Sequence, residues 1–311
     1  MAFSKRIRKY LVISLIIGWV VSLSFSTKAK ERLYYNNQVL MGTFWETTSP
    51  NKNAGKIVFK EAARVEELLS KYKIDSEVSK LNRLGKLKVS ADTFYIIKKS
   101  KEFYEASSGA FDITVAPLVS LWGFTNQEYS LPSANKIQET LSLVGSDKII
   151  LHTNDNVVEF KLPGMKIDLG AIAKGFALDC AVKELKKRNI NNCLINAGGQ
   201  IYALGDRFGK AWKIAIKDPR KVGVSSTLEL RNQSASTSGD YEQFFLIGNK
   251  RYSHILNPKT GYPVDSDIMS ITVVASTGLE ADALSTAVFV MGRENGQELL
   301  KKINGAAAKI F

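Results

Sequence analysis

Three consecutive pieces decide how this chain reads: Tyr252-Ser-His-Ile-Leu-Asn-Pro-Lys-Thr-Gly-Tyr-Pro-Val264, Met269-Ser-Ile-Thr-Val-Val-Ala275 and Leu279-Glu-Ala-Asp-Ala-Leu-Ser-Thr-Ala-Val-Phe-Val-Met291. The first is a loop turning on Asn257-Pro258 and Thr260-Gly261, after a short strand at Arg251–Ser253. The second is a β-branched run that predicts a strand. The third predicts a helix whose residues are mostly small or apolar, so it should be buried.

Asp282 and Thr286 are four apart, so a helix sets them on one face, about 5–6 Å apart at Cβ. A carboxylate and a hydroxyl on a buried face need partners. A hard cation such as Mg²⁺ would satisfy both through oxygen. A purely structural pair, with Thr286 bonded to the Asp282 carbonyl, is the competing account. His254 has two readings as well: a site residue near neutral pH, or a satisfied core histidine. The second histidine, His152, sits in a polar turn and reads as surface.

The chain has 311 residues, enough for one large domain or two small ones, and a formal charge of +13. Its lysines are scattered and not gathered on a motif, so no nucleic-acid stripe is indicated. A solvated basic surface, or attraction to anionic lipid headgroups, is a simpler account of the charge. Lys5, Arg6, Arg8 and Lys9 precede a short apolar run, Leu11 to Phe25, and Thr27-Lys28-Ala29 suits a cleavage site. Residues 1–29 therefore read as a signal peptide or an uncleaved membrane anchor, and residues 30–311 as an exported body. No cysteine directly follows the apolar run, which argues against a lipoprotein anchor. Cys180 and Cys193 read as two small buried thiols, with no metal cluster.

Residues 39–47 read as one strand with Gly42 at its middle. Residues 53–70 and 92–107 predict helices, with a short one opened by Asp75-Ser76-Glu77 between them. Gly109 to Phe124 is apolar apart from Asp112 and Thr114, and a carboxylate there must bond something. Residues 133–145 predict a polar helix, and 147–160 a hairpin. In Lys166-Ile-Asp-Leu-Gly-Ala-Ile-Ala-Lys-Gly175, Asp168 is expected to end a strand and a helix to start near Ala171. A glycine turn into a helix N-terminus suits phosphate, and Lys174 in that first turn makes sense if it points at an anion. Residues 192–205 predict two strands meeting at Ala197-Gly198-Gly199. Ser234 to Asp240, rich in hydroxyls, is either a flexible loop or a row of donors around phosphate or ribose.

Taken in order, Met41-Gly-Thr, Asp75-Ser-Glu, Asp112-Ile-Thr-Val-Ala-Pro-Leu-Val, Asp168-Leu-Gly-Ala-Ile-Ala-Lys-Gly, Asn196-Ala-Gly-Gly, Ser236-Thr-Ser-Gly, His254-Ile-Leu-Asn-Pro-Lys-Thr-Gly and Glu280-Ala-Asp-Ala-Leu-Ser-Thr resemble the ApbE family of FAD:protein FMN transferases. They span nearly all of the exported body. The resemblance implies Mg²⁺ held by Asp282, Thr286 and the backbone carbonyl of Ala171. It implies FAD along Met41, Tyr72, Ala110, Phe111, Asp112, Asp168, Lys174 and Ile255. FMN would pass to a Ser or Thr hydroxyl of another exported protein, releasing AMP. The implied acceptor is a flavoprotein subunit of a membrane redox complex, carrying a Ser/Thr-Gly-Ala-Ser/Thr motif. The chain departs from the pattern at Gly170, where many relatives carry serine.

Cleaving a pyrophosphate needs charge neutralised on the bridging and leaving oxygens, which a metal supplies. His254 and Asp282 are the candidate catalytic residues, His254 as base or as donor to the phosphates. Two other readings stay open: an FAD pyrophosphatase releasing FMN and AMP, and a non-enzymatic exported FAD carrier. The expected fold is α+β, mostly antiparallel sheets with packed helices in two intimately joined lobes. The expected location is the periplasm or the outer face of the inner membrane.

Overall fold

A computed structural model describes residues 31–266 and 268–311, and residues 33–311 form one compact unit. The expected signal or anchor at 1–29 lies outside the described residues. Among these, no helix is long and apolar enough to cross a membrane.

The chain begins with strands β1 (Tyr34–Leu40) and β2 (Thr43–Ser49), followed by helices α1 (Ala54–Leu69) and α2 (Glu77–Leu84), strand β3 (Lys86–Lys88) and helix α3 (Ala91–Ala106). A 3₁₀ turn at Ile113–Val115 leads into α4 (Ala116–Leu121), then α5 (Ala134–Leu141), β4 (Ile149–His152), β5 (Val157–Phe160) and α6 (Ala173–Lys187). Seven strands follow: β6 (Cys193–Ala197), β7 (Gln200–Leu204), β8 (Trp212–Lys217), β9 (Val224–Leu230), β10 (Gln233–Gly239), β11 (Phe244–Ile247) and β12 (Lys250–Ser253). The chain closes with β13 (Ser270–Ala275), α7 (Gly278–Met291), α8 (Arg293–Lys301) and β14 (Ala307–Ile310).

The fold is α+β. Its main sheet has seven strands in the order β1-β2-β6-β7-β10-β13-β14, and every neighbouring pair is antiparallel. Trp45, Ile195, Ile271, Phe289 and the buried faces of α1, α6 and α7 fill the principal core. A smaller cluster gathers on Trp122, Phe124 and Leu256, where the Trp122 indole N–H donates to the Gly261 carbonyl at 2.8 Å. A third, around Trp212 and Ile214, holds the β8–β9 hairpin to the main sheet.

Helices α6 and α7 meet at their first turns, backbone against backbone. A Cβ on Gly175 would collide with the Gly278 carbonyl, and one on Gly278 with the Gly175 carbonyl. Each helix caps the other. Asp179 of α6 accepts from the N–H groups of Gly278 (2.6 Å) and Leu279 (2.9 Å), while Asp282 of α7 accepts from the Gly175 N–H at 2.9 Å. Orphan amides of both N-termini are thus satisfied by carboxylates, with the macrodipoles favouring the charge. Burial pushes the Asp179 carboxyl up to about 6, against the pull of these N–H groups. Thr277 and Glu280 complete a capping box on α7.

Four local expectations are corrected. Residues 39–47 are not one strand: Met41 (φ 50°) and Gly42 (φ 73°) form the turn of a β1–β2 hairpin. Two successive positive φ values are the mark of a type I′ turn, whose twist matches the strands, and methionine conceals it in the sequence. Ser234 to Gly239 is no flexible loop but β10, bonded to β7 on one side and β13 on the other. Apart from Thr237 its residues are small ones of low strand propensity, and burial between two partners overrides that. Asp168 does not end a strand. Residues 166–168 are irregular, held by a two-way amide clamp between Asn82 and the Ile167 backbone (2.9 and 2.8 Å) and by the Asp168 N–H donating to Ile113 O at 2.7 Å. The polar helix expected to reach residue 145 stops at Leu141.

Replacing Gly175 with alanine forces the two helices apart, and overpacking of this kind costs about 3 kcal/mol. Urea denaturation of Gly175→Ala should show that loss. Wild-type stability would refute the contact.

Candidate active site

The residues singled out above come together. Met41, Tyr72, Ala110, Phe111, Asp112, Asp168, Ala171, Lys174, His254, Ile255, Asp282 and Thr286 all line one cleft of about 470 Å³. Six stretches of chain far apart in sequence supply them. Met41 comes from the β1–β2 turn, and Tyr72 follows α1. Ala171 and Lys174 flank the start of α6, His254 and Ile255 follow β12, and Asp282 and Thr286 come from α7.

Asp282 is buried. Its Oδ2 accepts from the Gly175 N–H, and its Oδ1 has only a long 3.4 Å contact from the Ser236 hydroxyl. Burial pushes its carboxyl up, opposed by the Lys174 charge and these two donors. The Thr286 hydroxyl has a 3.4 Å contact with Ser238, so it too keeps bonding capacity toward the cleft. The Thr286–Asp282 backbone bond of the structural account is not the one formed there; the Ser285 hydroxyl donates to the Asp282 carbonyl instead, at 2.9 Å. A carboxylate, a hydroxyl and a nearby backbone carbonyl make an all-oxygen donor set, which fits a small hard cation completed by phosphate and water.

His254 is held from behind. Its Nδ1 lies 3.1 Å from the Gln243 carbonyl. A carbonyl only accepts, so Nδ1 carries the proton and Nε2 keeps its lone pair. Among the described residues Nε2 has no recorded partner. Burial lowers the imidazole below the ordinary value of 6.5, so it is neutral at pH 7.

Asp168 pairs with Lys71 at 2.6 Å, both side chains largely buried, and accepts from the Gly170 N–H at 2.9 Å. Burial pulls the Lys71 ammonium down, but the Asp168 carboxylate outweighs this and holds it above the ordinary lysine value. Lys71 also lies 5.1 Å from the centre of the exposed Tyr72 ring. Asp112 is engaged by the protein itself. Its carboxylate accepts from the Thr114 N–H and hydroxyl (2.8 and 2.7 Å) and the Ser146 hydroxyl and N–H (2.6 and 3.2 Å). Burial raises its carboxyl against those four bonds.

Several lining residues escaped the sequence reading: Lys71, Gln200, Glu242 and Gln243. None sits in a spacing that announces chemistry. Ser236 and Ser238 lie in the hydroxyl-rich segment that offers a row of donors, and their hydroxyls turn toward Asp282 and Thr286. The side chains of Phe111, Val119, Phe124 and Leu256 give the cleft an apolar stretch, suited to an aromatic ring system. His152 is exposed and paired with Glu159 at 3.0 Å, outside the cleft. The two thiols are free, Cys193 buried and Cys180 half-buried.

Comparison with known proteins agrees with this picture. The sequence profile of the ApbE family matches residues 41–311. The FAD:protein FMN transferase of Haemophilus influenzae is 34% identical over 301 residues, covering 93% of this chain and 86% of that protein. The crystal structure of the ApbE protein from Thermotoga maritima superposes with a TM-score of 0.83 at 34% identity, covering 90% of this chain and 94% of the other. Flavin transferase ApbE from Vibrio cholerae gives 0.80 at 28% identity, with 90% and 93% covered.

The four bonds to Asp112 tie the cleft wall to the Ser146 turn. Asp112→Ala leaves those donors without an acceptor, and we expect a loss of about 3 kcal/mol, read by thermal unfolding. An unchanged melting temperature would show that the carboxylate is not a structural anchor.

Proposed function

Because the chain belongs to the ApbE family and is an enzyme of the FAD:protein FMN transferase class, we propose that it moves FMN from FAD onto a Ser or Thr hydroxyl of an exported acceptor, releasing AMP with the help of Mg²⁺. The observation that supports this most is the meeting, in one cleft, of the Asp282–Thr286 oxygens with an imidazole whose Nε2 is free.

Asp282, Thr286 and the Ala171 carbonyl would hold the metal. When bound, it would neutralise charge on the diphosphate oxygens. The residues of the chain do the rest. Lys174, in the first turn of α6 and on the cleft wall, would pair with the diphosphate, and the helix dipole would add to its charge. The apolar stretch and the Lys71–Asp168 pair position the flavin nucleotide. The acceptor O–H attacks the FMN phosphorus in line. Its oxygen bonds to phosphorus, the P–O bond to the AMP phosphate breaks, and the proton passes to His254 Nε2. Asp112, its carboxylate occupied, shapes the wall.

The proposed acceptor is a subunit of a membrane redox complex with a Ser/Thr-Gly-Ala-Ser/Thr segment. The proposed location is the periplasm or outer face of the inner membrane, directed by the basic and apolar N-terminus.

The test is mass spectrometry of a motif peptide incubated with FAD, Mg²⁺ and residues 30–311. We expect an FMN adduct on its hydroxyl, abolished by EDTA and by Asp282→Ala. Release of FMN and AMP without an adduct would make the protein a pyrophosphatase. His254→Ala should retain FAD affinity and lose at least about a hundredfold in transfer; normal transfer by that variant would remove the imidazole from the mechanism. The wild-type rate should be flat above pH 6.5 and fall only below it, because the folded imidazole is depressed under its ordinary value. The same depression means that stability owed to the neutral ring is present above 6.5 and is lost as pH drops and the unfolded chain takes up the proton. A rate that already declines between pH 8 and 7 would contradict the assignment.

A further inference from the structure

Strand β8 has a free edge. It pairs with β9 alone, and among the described residues no backbone hydrogen bond joins Trp212–Lys217 to any other strand. Ile214, Ala215, Ile216 and Lys217 all line a groove of about 470 Å³. Successive side chains of a strand point to opposite faces. Ile214 and Ile216, with Leu228 of β9, line the groove from the hairpin face turned to the main sheet, and Ala215 and Lys217, on the other side of the strand, bring it round to the backbone edge. The Gly198–Gly199 turn and Thr237 form the facing wall. At Gly199 an added Cβ would meet nothing within 4 Å, so this wall is open.

The groove runs into the active-site cleft, for Gly198, Thr237 and Glu242 line both. Glu242 stands at the junction. Surrounding protein pushes its carboxyl up although solvent in the cleft still reaches it, and it feels Lys174 and Asp282 on the cleft side and Lys217 on the groove side.

We propose that an extended segment of the acceptor protein adds to the free edge of β8 as a third strand, and is led past Glu242 into the cleft with its hydroxyl. This rests on the transferase reading of the cleft. The occupant follows from the groove's chemistry. A strand edge offers main-chain N–H and C=O groups, which bind extended polypeptide with little regard for its side chains. Ile201, Leu228 and Ala235 make the lining apolar, and its charges are Lys217 and Glu242, a combination unsuited to a second nucleotide. The exposed lysines at 213 and 217 keep the edge from pairing with other copies.

The test is hydrogen–deuterium exchange of the full chain with FAD and Mg²⁺, with and without a synthetic peptide carrying the Ser/Thr-Gly-Ala-Ser/Thr motif. Those amides of residues 213–217 that point away from β9, alternate ones along the strand, should slow by about tenfold or more when peptide is present. Ala215→Trp fills the groove and should raise the peptide KM about tenfold. Lys213→Ser, on the same strand but outside the groove, should not. Protection at β8 without an adduct would support the docking and overturn the transfer reading. An adduct without protection at 213–217 would overturn the docking and leave transfer standing. Absence of both would overturn both.

Discussion

The crossing of α6 and α7 is the constraint on which the rest of the site depends. Two glycines remove the side chains that would hold the helices apart. Two aspartates, one on each helix, then cap the opposite N-terminus. The contact fixes the rotation of α7, and hence the face that carries Asp282 and Thr286 into the cleft. It also fixes the start of α6, where Ala171 and Lys174 lie. Asp282 is thereby both a cap and a candidate metal ligand, since one carboxylate oxygen meets the Gly175 N–H and the other is nearly free.

Around that crossing the protein divides its polar groups by purpose. Asp112 and Asp179 bond several protein donors each and hold the walls. His254 and Thr286 are under-bonded on the cleft side. Both are only half-buried, and their spare bonding positions lie on the cleft, where anionic oxygen or hydroxyl groups of a ligand can reach them. The neutral imidazole follows from burial of the ring, which leaves Nε2 able to accept a proton at neutral pH.

Where reading from sequence failed, the cause was either pairing and approach between distant segments or a backbone conformation that the residue type conceals. Ser234 to Gly239 looks like loop because its serines, alanine and glycine have weak strand preference, and only pairing on both sides makes it β10. Met41 hides a hairpin turn because its positive φ is uncommon for a side chain. Lys71, Gln200 and Glu242 carry no local pattern and become site residues by approach through space.

What the sequence determined by itself was whatever depends on neighbours a few positions apart. The i, i+4 spacing of Asp282 and Thr286, the buried character of their helix, the cap that opens α2, and the glycine turn between β6 and β7 are local properties that helix and strand geometry impose. The ordered motifs pointed in addition to the family and its α+β fold. Only the tertiary structure decided which N–H groups meet Asp282, which nitrogen of His254 is free, that Lys71 belongs to Asp168, and that β8 keeps an open edge beside the cleft. Those facts depend on contacts between segments far apart in the chain, which are set by how the helices and sheets pack and leave no periodic trace in the sequence.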